Sequence, residues 1–179
     1  KTHRTVGIFN EQRTGKTPTV CTALKEMHIN HYIVVCPNSL LYMWQSAIKL
    51  WADLDAIVYT GAKCVQEWAK SDVPIIINYE QLRGNKNRQN PLVTYLQRRK
   101  IEAVVLDEAH TIRNRQNLTC KTCNLLGRRT DVRIAVTGTP AYNVPQDVWA
   151  VVNWIMPGYL GTYYDFCRNF FKMEKIFLY

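Results

Sequence analysis

Six short apolar runs, separated by longer amphipathic segments, constrain this chain more than any other feature. They are Thr5–Phe9, Tyr32–Cys36, Ala56–Tyr59, Pro74–Asn78, Glu102–Leu106 and Arg133–Thr137. All are short and rich in Val and Ile, which suits strands buried on both faces of a parallel sheet. Between them the pattern predicts helices over Lys16–Met27, Leu40–Trp51, Gln66–Ser71, Pro91–Arg99 and Asn117–Leu126. Pro91 fits a first helical turn, where its missing N–H costs nothing. Strand–helix repetition at this spacing predicts a doubly wound α/β domain, a three-layer α/β/α sandwich with a mostly parallel central sheet. Ligands of such sheets bind beyond the carboxyl ends of the strands. Functional residues are therefore expected immediately after the apolar runs.

With 179 residues, the chain reads as one domain, 1–179, large enough for a substantial core. Hydrophobic residues at 47% and charged residues at 21% exclude a disordered or fibrous chain. No apolar run approaches the roughly 18 residues of a membrane span, and no signal-type stretch follows Lys1-Thr2-His3-Arg4. The expected setting is intracellular, cytoplasmic or nucleoid/nuclear, with no membrane partner. The chain lacks a starting Met and reads as cut from something larger. After residue 140 the strand pattern gives way to an amphipathic segment, Gln146–Ile155, then Pro157-Gly158 and an aromatic-rich tail.

The formal charge of +9 is uneven: residues 81–130 hold 11 Lys or Arg against 3 Asp or Glu, a net of +8. Such a stretch is either a solvated surface or a face for a polyanion, because Lys and Arg dominate affinity for nucleic-acid phosphates. Charge alone leaves both open. The six cysteines are irregularly spaced and read as reduced thiols. Cys120 and Cys123 form one C-x-x-C without a second pair or a nearby His, and a zinc site needs about four ligands, so the pair is expected to be part of a helix.

Three constellations follow apolar runs. After Phe9 comes Asn10-Glu11-Gln12-Arg13-Thr14-Gly15-Lys16-Thr17, similar to the phosphate-binding loop GxxxxGK[ST]. Backbone N–H groups of Gln12, Arg13, Thr14 and Gly15 at a helix N-terminus suit phosphate. Lys16 would neutralise the β- and γ-phosphates of ATP, and the Thr17 hydroxyl would hold Mg²⁺. An ordinary βα turn is the structural alternative. After Leu106 comes Asp107-Glu108-Ala109-His110. Asp107 would bind Mg²⁺ through its water shell, Glu108 is placed to polarise an attacking water, and His110 could couple the site to the neighbouring strand. An acidic helix cap is the alternative here. The sixth run ends in Thr137-Gly138-Thr139-Pro140, where hydroxyls could sense the γ-phosphate; a plain turn would also explain it.

In order, these residues resemble the first RecA-like domain of superfamily-two helicases, and among those the Swi/Snf-type ATPases. Glu11 with Gly15-Lys16-Thr17 resembles motif I, Val35–Leu41 with Trp44 motif Ia, Ile77–Arg83 motif Ib, Asp107–His110 with Arg113-Asn114 motif II, and Thr137–Pro140 motif III. The segment Asn143-x-x-x-Asp147-Val148-Trp149, then Asn153-Trp154-x-x-Pro157-Gly158, is similar to the stretch that follows motif III in Swi/Snf proteins. Arg13 and Asn10 depart from the family's usual Gly and Asp. The resemblance implies ATP-driven movement on double-stranded DNA by two RecA-like lobes, of which this chain would be the first. Lys16, Asp107 and Glu108 would be catalytic. His110, Thr137, Gly138 and Thr139 would couple ATP to movement. DNA would be met at Asn38, Ser39, Asn78 and Tyr79, with Arg83, Lys86 and Arg88 as the basic face. Another superfamily-two motor (a restriction-system translocase or an unwinding helicase) and a degenerate loop fold kept as a nucleic-acid binding module are the alternatives. Trp44, Trp51, Trp149 and Trp154 are expected to pack in the core or between domains.

Overall fold

The computed structural model describes residues 4–84, 90–96, 99–141, 144 and 146–171. Six strands form one sheet: β1 (Arg4–Ile8), β2 (Tyr32–Cys36), β3 (Ile57–Val58), β4 (Ile75–Asn78), β5 (Ile101–Asp107) and β6 (Thr130–Val136). Their spatial order is β1-β6-β5-β2-β4-β3, and every neighbouring pair is parallel. All six expected runs contain a strand. The third is the shortest, because only Ile57 and Val58 pair with β4.

The helices are α1 (Lys16–Glu26), α2 (Leu41–Ala47), α3 (Ala62–Trp68), α4 (Tyr79–Arg83), α5 (Pro91–Leu96), α6 (Leu118–Gly127), α7 (Asp147–Ile155) and α8 (Tyr163–Phe170). The strands alternate their side chains between two cores, as a period of two requires. Ile33, Val35, Ile75, Ile77, Val104 and Leu106 pack with α3 to α7. Tyr32, Val34, Cys36, Ile76, Ala103 and Val105 pack with α1 and α2. The three-layer α/β/α arrangement predicted from the sequence is present. Wholly buried central strands such as Tyr32–Cys36 explain why the runs lack polar alternation.

Local chemistry fixes several ends. Asn117 Oδ1 accepts the Cys120 N–H at 2.8 Å and Asn78 Oδ1 accepts the Gln81 N–H at 2.7 Å, each capping a helix start with an otherwise unpaired donor satisfied. The expected helix Leu40–Trp51 is three pieces: a 3₁₀ turn Asn38–Leu40, α2, and a π-helical turn Ile48–Ala52 that stops at Asp53, whose φ is 59°. A positive φ cannot continue a right-handed helix. The third helix starts earlier than Gln66, after Gly61. Helices α4 and α8 go beyond the helices that the sequence pattern predicts. In α8, Phe166 is buried against Phe170 and Phe171, so part of the aromatic tail packs on itself. Trp44 and Trp154 are core residues, whereas Trp51 is 46% exposed. Cys120 and Cys123 both lie on α6. No helix among the described residues is long and apolar enough to cross a membrane.

Candidate nucleotide site and nucleic-acid face

Parallel register aligns the strand ends along one edge of the sheet. Ile8 pairs with Val136, Val136 with Asp107, and Cys36 with Asn78. Read across the sheet, the edge carries Asn10–Thr17 after β1, Thr137–Pro140 after β6 and Asp107–His110 at the end of β5. Beyond them come Asn38–Leu40 after β2 and Asn78-Tyr79 at the end of β4. The residues expected to meet nucleotide occupy one half of the edge. Asn38, Ser39, Asn78 and Tyr79, expected to meet nucleic acid, occupy the other.

In the loop after β1, Gly15 has φ 81° and caps α1, a left-handed conformation that glycine adopts without cost. Arg13 has φ 63°. The position thus keeps a glycine-like backbone although it carries a side chain, at a cost of roughly 1–2 kcal/mol. Lys16 Nζ donates to the carbonyls of Asn10 at 3.0 Å and Glu11 at 2.6 Å, and Thr14 Oγ1 donates to Glu11 O at 2.7 Å. The loop is folded around its own lysine, which keeps one of its three donors for another oxygen. Gly138 backs this loop: a Cβ there would lie 3.3 Å from Gln12 Cγ and 3.5 Å from Gln12 N. The turn after β6 therefore packs directly on the loop after β1.

Asp107 is 6% exposed. Burial lifts its pKa above the usual carboxylate value. Hydrogen bonds from the Trp44 indole and the Glu108 amide, and the charge of Lys16, oppose that shift. Among the described residues, two of the carboxylate's lone-pair sites are used, by Trp44 on Oδ2 at 2.7 Å and Glu108 N on Oδ1 at 2.9 Å, and two remain. Such a buried, partly satisfied carboxylate, with the Thr17 hydroxyl at the start of α1, fits Mg²⁺, which takes one or two carboxylates and keeps several waters. Glu108 has φ 49°, rare for a non-glycine residue and found where surrounding structure enforces it. Its Oε2 lies 3.2 Å from His110 Nδ1 and accepts from Thr137 Oγ1 at 3.4 Å. His110 Nδ1 and Thr137 Oγ1 are 3.1 Å apart, and Thr137 Oγ1 also accepts the Thr139 N–H at 3.1 Å. Glu108, His110, Thr137 and Thr139 form one polar cluster across β5 and β6.

On the other half, Asn38 and Ser39 are exposed, and Asn78 Nδ2 donates to Asn38 Oδ1 at 2.8 Å. Arg83 is exposed at the end of α4. Lys86 and Arg88 lie outside the described residues. The side chain of Tyr79 corrects the expectation of a surface contact. It is 3% exposed, and its hydroxyl donates to the Asp107 carbonyl at 2.7 Å. The ring fills the core beside the sheet, and Asn78 before it is buried as well, at 6% exposed, with its amide spent on Asn38 and Gln81. Sequence reading also misses Trp44 as a partner of Asp107. The available signal is that a buried indole N–H must find an acceptor.

A parallel sheet carrying these motifs at its strand ends has the architecture of a RecA-like P-loop domain. Similarity to known proteins then fixes the family. The SNF2-related domain family matches residues 4–175, and the chain belongs to it. It is 30% identical over 178 residues, 96% of this chain and 9% of the relative, to the TATA-binding protein-associated factor MOT1 of Saccharomyces cerevisiae. It is also 30% identical, over 92% of this chain and 12% of the relative, to the chromatin-remodeling ATPase INO80 of the same yeast. Among solved structures, the Sulfolobus solfataricus SWI2/SNF2 ATPase core in complex with dsDNA superimposes with a TM-score of 0.77 at 27% identity, covering 93% of this chain and 34% of that one. The chain therefore spans about a tenth of the length of these two yeast relatives.

Proposed function

We propose that this lobe binds ATP with Mg²⁺ and is the first half of a motor that uses hydrolysis to move on double-stranded DNA. The observation that carries the reading is the shared edge that bears Gly15-Lys16-Thr17 after β1 and Asp107-Glu108 at the end of β5, with Thr137–Pro140 between them. In this reading the loop amides from Gln12 to Gly15, with Lys16 and Arg13, hold the phosphates at the start of α1. Thr17 and Asp107 would hold Mg²⁺, which would supply neutralisation of phosphate charge. Glu108 orients the attacking water and takes its proton. The contacts from Glu108 through His110 to Thr137, with Gly138 packed on the loop, report phosphate loss to β6.

The same reading gives Asn38, Ser39 and Arg83, together with Lys86 and Arg88, to the DNA backbone, with the buried Asn78 and Tyr79 holding the turns beneath them. Hydroxyls, amides and cations of this kind position a duplex rather than read its sequence. The solved relative bound to dsDNA and the remodelling ATPase among the relatives support this choice of partner. The second RecA-like lobe of the parent chain would supply the remaining charge at the γ-phosphate. Alone, the present lobe is expected to bind nucleotide weakly and turn it over slowly. The test is titration of a fluorescent ATP analogue: binding should need Mg²⁺ and be lost in Lys16→Ala. Unchanged binding by that variant would overturn the role of Lys16 and this reading of the loop, and no binding by the wild type would leave the lobe as a nucleic-acid binding module.

A further inference from the structure

Asp107 is gripped from both faces of the sheet at once. From the α1/α2 layer, Trp44 Nε1 donates to its Oδ2 at 2.7 Å. From the opposite layer, the Tyr79 hydroxyl donates to its backbone carbonyl at 2.7 Å. Both aromatic side chains are buried, Trp44 completely. A hydrogen bond to an ionised carboxylate is roughly twice as strong as a neutral one, so Trp44 fixes the rotation of the Asp107 side chain.

These two residues belong to the segments that carry the turns assigned above to DNA. Trp44 lies on α2, which continues the Asn38–Leu40 turn, and Tyr79 follows Asn78 directly. The turns are themselves joined by the Asn78–Asn38 hydrogen bond at 2.8 Å. The result is a closed circuit: turn to Trp44, Trp44 to Asp107, Asp107 to Tyr79, Tyr79 to the second turn, and back.

We propose that Trp44 and Tyr79 are positioning residues for Asp107, and that they make its carboxylate move as one body with the two turns. The proposal rests on the assignment of Asp107 to Mg²⁺–ATP. Trp44 sets the carboxylate's angle through the Oδ2 contact. Tyr79 sets the height of the β5 end. A displacement of either turn by DNA changes how Asp107 presents itself to Mg²⁺.

The test uses Trp44→Phe and Tyr79→Phe in the intact chain that carries this lobe. For Trp44→Phe, the Mg²⁺ concentration that half-saturates binding of a fluorescent ATP analogue should rise about tenfold, as removal of a partner that orients a metal's carboxylate typically does. Affinity measured at saturating Mg²⁺ should stay the same. For both variants, the factor by which duplex DNA accelerates hydrolysis should fall while DNA affinity holds. An unchanged Mg²⁺ midpoint together with an unchanged DNA acceleration overturns the proposal. If Trp44→Phe does not fold, the DNA acceleration in Tyr79→Phe decides alone. Failure of the underlying assignment looks different: the wild type itself would bind nucleotide without regard to Mg²⁺, and the proposal would fall with it.

Discussion

His110 Nδ1 and Thr137 Oγ1 lie 3.1 Å apart, joining the end of β5 to the end of β6. Glu108 is tied to both partners, at 3.2 Å and 3.4 Å. Replacing Thr137 by Val keeps its shape and removes the hydroxyl, so the missing hydrogen bonds should slow DNA-stimulated ATP hydrolysis by about 3- to 10-fold. Nucleotide affinity should change little. A turnover assay beside a nucleotide titration separates the two.

Gly127 decides a contest between propensity and packing. It ends α6, where Ala would raise helix propensity by about 1 kcal/mol. A Cβ there would lie 3.0 Å from Trp154 Nε1 and 3.4 Å from Cε2. The indole cannot yield, because it is 1% exposed and donates to Cys123 O at 2.8 Å. Overpacking of this kind costs roughly 1–3 kcal/mol, so Gly127→Ala should lower the melting temperature by several degrees. Thermal denaturation followed by circular dichroism checks the sign.

The six cysteines are all buried. Burial pushes Cys21 up to about 11 and Cys36 up to about 12, and raises Cys120 and Cys123 as well. The thiolate is the reactive form, so alkylation of the folded protein at neutral pH should be negligible. After denaturation, mass spectrometry should show all six cysteines modified.

The strands and the phosphate loop are legible in the sequence because each depends on local information: a run of Val and Ile, or a fixed spacing of Gly, Lys and Thr. The ends of the elements are less so. Leu40–Trp51 carries helical spacing throughout, yet the π-helical turn and the left-handed Asp53 break it, and nothing in that segment's periodicity marks the break. Tyr79 escapes sequence reading for a related reason. Its neighbours Asn78 and Glu80 are polar, and only the tertiary meeting of β4 and β5 with β2 between them turns its hydroxyl toward Asp107. Trp44 is a core residue, as its place on an amphipathic helix predicts. Its hydrogen bond to a residue 63 positions away depends on the β2–β5 adjacency, which sequence spacing does not reveal.

The basic stretch after β4 makes a separable claim. Replacing Arg83, Lys86 and Arg88 together should weaken duplex binding nearly equally for all sequences. It should also flatten the dependence of log affinity on log salt, by about 0.9 for each phosphate no longer neutralised. Binding isotherms at several salt concentrations measure both. Arg83 is exposed, so the folded core should not respond.

The most direct test of the motor assignment is ATP turnover by the intact chain with and without double-stranded DNA, in wild type and in Lys16→Ala. The shared edge of Lys16, Asp107 and Glu108 predicts turnover that rises with duplex DNA and disappears in the variant. Turnover indifferent to DNA, or surviving the replacement of Lys16, would contradict it.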